Sequence, residues 1–271
     1  RMCGADREHG VLGFCGMPAE IYAARAALHF WEEPPISGEK GSGAGFFSGC
    51  SLGCGFCQNT EISQEKFGKA ISTQRLREIF GELIDQGAHN INLVTPTHFL
   101  PQILPALEPK LPVPVVYNCG GYERVETLRT LEGKVDIYLP DLKFAEPELA
   151  KQLCGAADYF PVAARAIDEM LRQVGRPVYG EDGMLKKGVI IRHLVLPGQV
   201  QNSLKVLDYI ADHFPKGSVL VSLMAQFVPS GRLKHTPPFD RTVTLGLEDG
   251  FLQEPSAATD AYLPDFSLEG V

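Results

Sequence analysis

From Gly43 onward, short apolar runs alternate with stretches whose apolar residues recur every three or four positions. The runs at 44–48, 90–95, 113–118, 135–139, 189–196 and 219–223 read as buried parallel strands. Between them, Leu76, Ile79, Phe80, Leu83 and Ile84 mark one face of an amphipathic helix, with Ser72 as its N-cap and Gly87 just past its end. A second stripe runs through Tyr159, Val162, Ala163, Ala166, Ile167, Met170 and Leu171, and a third, after Gly198, through Leu204, Leu207 and Ile210. Weaker helices are predicted at 99–107, interrupted by Pro101 and Pro105, and at 123–131. The flanks are less regular: a short helix is expected around 21–27, a turn-rich segment at 32–38, and loop from 229 onward.

Strands alternating with helices indicate βαβ units and a parallel sheet. Right-handed crossovers would curl six such units into an open barrel, although the pattern does not exclude a flat, doubly wound sheet. In both, ligands gather at the C-terminal ends of the parallel strands. The expected organisation is one domain: a core over 41–228 with an N-terminal extension, 1–40, and a C-terminal extension, 229–271.

Composition narrows the function classes. A length of 271 residues, 44% of them hydrophobic, supports one large α/β core. A net charge of −8 argues against a general nucleic-acid binder, which needs a basic footprint. No run of about 18 apolar residues could span a membrane, and the first residues do not read as a signal peptide. Seven cysteines, an odd number, suggest a reducing cytoplasm and no disulfide framework. The chain opens on Arg1 and not on Met, so an upstream segment is expected to be missing.

Three of those cysteines stand together in Cys50-Ser51-Leu52-Gly53-Cys54-Gly55-Phe56-Cys57, with no fourth nearby in sequence. Thiolates so spaced on a glycine-rich loop can ligate three irons of a 4Fe–4S cube and leave the fourth open. A zinc site would ask for four tetrahedral ligands, and the next His or Cys after Cys57 is His89. Other positions at predicted strand ends can carry chemistry. Asn118 ends the third strand, and Asp141 and Lys143, two apart and so on one face, end the fourth. Arg192-His193 interrupts an otherwise apolar strand; a buried arginine needs an anion, and only one of the two can face inward. Met224-Ala225-Gln226 ends the sixth strand, with barrel packing its simplest role.

The spacing of Cys50, Cys54 and Cys57, with an aromatic residue before the last, resembles the cluster loop of radical S-adenosylmethionine (SAM) enzymes. The resemblance implies a partial (β/α)6 TIM-like barrel with N- and C-terminal extensions, a 4Fe–4S cluster on these cysteines, and SAM bound to the open iron. It implies reductive cleavage of SAM to a 5′-deoxyadenosyl radical, with a reductant such as flavodoxin or ferredoxin. Phe56 would lie near the adenine or else shape the loop. Thr95 and Thr97 stand where many members have a Gly-Gly-Glu-Pro segment that holds the SAM amino group; here hydroxyls replace the carboxylate. His98 beside them reads as a helix-cap or surface residue.

Asp141-x-Lys143 and the segment of Arg192 with the following Pro197-Gly198 resemble the activating enzymes of pyruvate formate-lyase and related glycyl radical enzymes. On that likeness Lys143, Asp141, Arg192 and Asn118 position SAM, and the partner is a glycyl radical enzyme. Residues around Cys3 and Cys15, the segment at 29–38 and the segment at 262–266 resemble one branch of those relatives. Cys3 and Cys15 alone cannot close a metal site; Cys119 and Cys154 read as small buried hydrophobes, and Glu32-Glu33 as a solvated turn. Two alternatives remain open: radical modification of a small molecule, peptide or RNA, and a non-enzymatic iron–sulfur electron-transfer protein.

Overall fold

The computed structural model of the chain describes residues 3–243. Its strands are β1 (Ile21–His29), β2 (Ser42–Phe47), β3 (Lys69–Ile71), β4 (Ile91–Val94), β5 (Val115–Cys119), β6 (Ile137–Pro140), β7 (Val178–Tyr179), β8 (Leu185–Leu194) and β9 (Leu220–Met224). Its α-helices are α1 (Pro34–Ser37), α2 (Thr60–Ser63), α3 (Thr73–Asp85), α4 (Leu100–Ile103), α5 (Val125–Arg129), α6 (Pro147–Cys154), α7 (Tyr159–Val174) and α8 (Val200–His213). β2, β4, β5, β6, β8 and β9 are parallel neighbours in that order. The fold is therefore an α/β partial barrel, and its sheet is not closed.

Alternation along the strands sorts side chains into two layers. Ile91, Leu93, Val115, Tyr117, Tyr138, Val189 and Ile191 join Leu76, Phe80 and Leu83 of α3 and Ala163, Ile167 and Met170 of α7 in the main core. The residues between them, Val116, Ile137, Leu139 and Ile190, form a smaller apolar cluster with Leu185 and Ile36 on the opposite face. The expected α3 is capped as read: Ser72 Oγ accepts from the Arg75 N–H at 3.0 Å. Gly87, at φ +94°, turns the chain out of the helix.

The N-terminal flank departs from expectation. Residues 21–27 belong to β1, which pairs antiparallel with β2 and on its other side with β3. Its alanines favour a helix in isolation, but the β2 edge offers a ladder of unpaired backbone groups, and tertiary pairing overrides propensity. The turn expected at 32–38 contains α1, and it buries Ile36 completely. α6 was missed, although Pro147 in its first turn and Gly155 in the left-handed C-cap are ordinary start and stop signals. Pro101 and Pro105 break 99–107 into single turns. Within 229–243 the only regular element is a 3-10 turn at Gly231–Leu233; the 262–266 segment lies outside the described residues. No helix among the described residues is long and apolar enough to cross a membrane.

Candidate functional site

The three clustered cysteines occupy the loop that leaves the C-terminal end of β2. Gly49 and Gly53 turn it with φ of +81° and +67°, and a side chain on Gly49 would strike Met17. Three other parts of the chain hold its backbone. The Gly55 N–H donates to Leu153 O of α6 at 2.8 Å, and Gly55 O accepts from the Leu233 N–H at 3.0 Å. Gln64 Nε2 donates to Cys54 O at 2.8 Å, and Thr60 Oγ1 to Cys57 O at 2.6 Å. Phe56 is buried with its ring between Phe144 and Phe227, at centroid distances of 6.2 and 6.4 Å.

All three thiols resist ionisation. Burial pushes Cys50 up to about 11, and burial also raises Cys57. Cys54 is raised well above the ordinary thiol value by its hydrogen bond to Cys154 and by burial. Each is raised further by a neighbouring thiol. Among the described residues no three His, Cys, Asp or Glu side chains converge on a single metal ion. Thiolates that each bind a different iron of one cube need not so converge. Hydrogen bonds to sulfur are in place, from the Leu52 N–H to Cys50 Sγ and from Ser63 Oγ to Cys57 Sγ, both 3.3 Å. An all-sulfur donor set raised by burial, with Lys143 only partly offsetting it at Cys54 and Cys57, fits the cationic core of an iron–sulfur cluster.

Beside the loop, the strand ends carry a lattice of charge. Arg192 reaches Asp141 through Nε at 2.9 Å, Asn118 through Nη2 at 2.7 Å and Glu32 through Nη1 at 3.1 Å. Lys143 pairs with the other oxygen of Asp141. Burial works against every one of these charges, and their partners outweigh it. Asp141 is held below the usual carboxylate range by Arg192 and Lys143, and both cations are held above theirs, chiefly by Asp141. The Asp141–Lys143 backbone is pinned from behind. His193 Nδ1 meets Leu142 O at 2.7 Å and its Nε2 meets Ser203 Oγ at 2.8 Å. Tyr159 Oη accepts from the Lys143 N–H at 3.0 Å, and Asn202 Nδ2 donates to Lys143 O at 3.0 Å. His193 is fully buried and neutral, pulled down to about 4 by burial. As the strand alternation requires, Arg192 and His193 point to opposite faces.

The sequence reading missed Glu32. Expected in a solvated turn, its side chain is 10% exposed. Besides Arg192 it accepts from Asn92 Nδ2 at 2.8 Å and from Asn118 Nδ2 at 3.1 Å. Three strands of the partial barrel thus converge on one carboxylate from the N-terminal flank. Glu33 beside it is raised to about 7, first by burial and then by Glu32, against the pull of Arg192.

The segment after β4 divides. Thr95 has φ +58°, a left-handed conformation that a β-branched residue adopts only under constraint; its N–H donates to Asn118 O at 2.9 Å. Thr97 turns its hydroxyl to buried Glu123 at 2.8 Å and to Tyr117 at 3.0 Å. His98 is not at the surface. It is 8% exposed, bonds Ser48 O at 2.7 Å, and burial pulls it down to about 4. Gly121, after β5, is obligatory: a Cβ there would lie 2.0 Å from Asp141 O. Cys119 and Cys154 are buried, Cys154 against Cys54, while Cys3 is exposed and Cys15 half-buried.

Residues 45–215 match the model of the radical SAM superfamily. An uncharacterized protein of Methanocaldococcus jannaschii is 32% identical over 243 residues, 86% of this chain, and the chain spans 66% of that protein's length. Among solved structures, SuiB of Streptococcus suis bound to S-adenosylmethionine aligns at 16% identity and a TM-score of 0.45, over 71% of this chain and 40% of SuiB. Methylornithine synthase (PylB) aligns at 16% identity and 0.48, over 69% of this chain and 53% of that one. The matched span includes β4, β5, β6 and β8, the cysteine loop and the charge lattice apart from Glu32, and the chain belongs to the radical SAM superfamily, with a 4Fe–4S cluster and SAM as its cofactors.

Proposed function

We propose that the chain is an enzyme in which Cys50, Cys54 and Cys57 hold the cluster and Asp141, Lys143, Arg192 and Asn118 orient SAM. When bound and reduced, the two cofactors supply a 5′-deoxyadenosyl radical that abstracts hydrogen from a substrate. The observation that carries this reading is the adjacency of three clustered thiols, each raised by burial, to a prebuilt lattice of fixed charges at the strand ends. Such a lattice supplies oriented electrostatic contacts that need no reorganisation when a zwitterionic ligand arrives. Arg192 spends three of its five N–H groups on Asp141, Asn118 and Glu32, which leaves two for a ligand carboxylate. Lys143 balances that charge beside Cys54. The strained backbone at Thr95 supports a ligand contact there, through main-chain atoms in place of a side-chain carboxylate. Phe56 and its aromatic neighbours wall the loop against water.

For the substrate, the Asp141-x-Lys143 and Arg192 segments support an activating-enzyme-like role toward a glycyl radical enzyme, with flavodoxin or ferredoxin as electron donor. A second reading, modification of a small molecule, draws on a different observation. Ile36 and Glu32 of the N-terminal flank already fill part of the concave face, which suits a compact substrate better than an inserted protein loop. The test is anaerobic reconstitution with iron and sulfide, reduction, and assay for 5′-deoxyadenosine on addition of SAM. Product that vanishes in Cys57→Ala upholds the assignment. A loaded cluster that neither binds nor cleaves SAM moves the chain to electron transfer.

A further inference from the structure

Glu32 closes a ring of hydrogen bonds with two residues of the charge lattice. Its Oε1 accepts from Arg192 Nη1 at 3.1 Å, and Arg192 Nη2 donates to Asn118 Oδ1 at 2.7 Å. Asn118 Nδ2 then returns to Glu32 Oε2 at 3.1 Å. The same Oε2 accepts from Asn92 Nδ2 at 2.8 Å. The ring joins the N-terminal flank to β5 and β8, and Asn92 ties it to β4. Both ends of the Asn118 amide are engaged, which fixes its orientation. Arg192 is bonded at all three of its nitrogens, with Nε on Asp141 at 2.9 Å, so its plane is fixed too.

Glu32 is itself held from the far side. Ser37 Oγ donates to its backbone carbonyl at 2.9 Å, and Glu33 hydrogen-bonds to its carboxylate. The segment behind it is anchored by completely buried Ile36, whose carbonyl accepts from Asn90 Nδ2 at 2.7 Å. Lys143, Asp141, Arg192 and Glu32 alternate in sign along the lattice. Residue 32 lies outside the 45–215 span matched to the superfamily, so the ring is completed from beyond that span.

We propose that Glu32 is a positioning residue for SAM, acting through Arg192 and Asn118 and not by touching the cofactor. This rests on the reading that Arg192 and Asn118 orient SAM. A carboxylate suits the role because the ring needs an acceptor on each side: Oε1 faces one donor and Oε2 faces two. A glutamine has one acceptor end and one N–H donor end. Whichever way it turned, donor would meet donor, at Arg192 or at the two asparagines, and the ring would open. Arg192 would keep its bond to Asp141 but lose the partners that fix its outer edge.

The test measures SAM affinity by equilibrium dialysis against the oxidised, cluster-loaded protein, in which SAM is not cleaved. Glu32→Gln should weaken SAM by about tenfold or more, with the iron content of the wild type. Glu32→Asp keeps the charge but falls a methylene short, and should lose less; it carries the test if the glutamine variant does not fold. The deciding measurement is a double-mutant cycle. In an Asn118→Ala background, Glu32→Gln should weaken SAM by no more than about twofold, because the ring is already open. A merely structural role would give losses that add. Additive losses, or wild-type affinity in both Glu32 variants, overturn the proposal. Tighter binding in Glu32→Gln also overturns it, because Glu32 would then compete with SAM for Arg192. 5′-Deoxyadenosine is assayed on the reduced wild-type protein. Product there, together with any of those three results, sinks the positioning role alone. A loaded wild-type protein that neither binds SAM nor makes product sinks the radical SAM reading, and the positioning role with it.

Discussion

The cysteine loop and the strand-end lattice touch, with Lys143 acting on Cys54, yet they bury charge in opposite ways. In the lattice every ion is matched inside the protein: Asp141 has Arg192 and Lys143, and Glu32 has Arg192, Asn92 and Asn118. In the loop Lys143 pulls on Cys54 and Cys57 but does not offset burial and the neighbouring thiols, so each thiol stays above its ordinary value. One region is finished by the polypeptide, and the other is finished by what it binds. The lattice should therefore contribute to the stability of the iron-free protein, whereas the loop should contribute only once loaded.

The largest break of that comparison is in function. Cys54→Ala should lose its iron and all 5′-deoxyadenosine formation, measured by iron assay and chromatography. The same variant without iron should unfold at nearly the wild-type denaturant concentration, because no ionised partner is stranded. A fall of several kcal/mol in the iron-free protein would show that the loop is structural.

Arg192→Met should do the reverse. It leaves Glu32 as a buried carboxylate with no cation and Asp141 with Lys143 alone, a loss of about 3–5 kcal/mol when a buried ion pair is broken from one side. Urea unfolding of the iron-free protein checks it. Restoration of most of that loss by Glu32→Gln in the same chain would show that the stranded charge, and not lost packing, is responsible.

The next effect separates two buried titrating groups behind the sheet. His193 is depressed to about 4, so the unfolded chain takes up its proton first and stability is lost as pH falls from 6.5 toward 4. Glu123 is raised to about 7 by burial, so its contribution is present at low pH and lost as pH rises from 4.5 toward 7. Relative to wild type, His193→Asn should remove a slope of up to about 1.4 kcal/mol per pH unit, and Glu123→Gln a slope of opposite sign. Unfolding at a series of pH values tests both; slopes of the same sign would refute the assignment.

The smallest effect is at Thr95. Thr95→Gly should relieve the left-handed strain and stabilise the fold by about 1 kcal/mol. If that strain serves the ligand, SAM affinity should fall while stability rises.

Much of this was legible in the residues. All six parallel strands and the three longest helices follow from apolar periodicity, because buried strands and amphipathic helices carry their own pattern. Cys50, Cys54 and Cys57, and the shared face of Asp141 and Lys143, follow from spacing alone. What escaped depends on partners distant in sequence. β1 is a strand because β2 has an edge to fill, and nothing in an alanine-rich run announces that. Glu32 meets Arg192 across 160 positions, so no local pattern can connect them. His98 read as a surface residue because the Ser48 carbonyl that holds it is 50 residues away. Thr97 had a hydroxyl to offer, but the Glu123 that engages it becomes a neighbour only through the βα turns.

Gly55 bonds to Leu153 and to Leu233, and this fixes an order of events in biogenesis. The ribosome releases the three thiols when neither fastening has been made, and the second comes only after some 180 further residues. Until then the loop lies open to iron and sulfide carriers, and afterwards α6 and the 231–233 turn grip it. Loading of the folded, empty protein is therefore expected to be slower than loading during refolding, because the grip on Gly55 must first loosen.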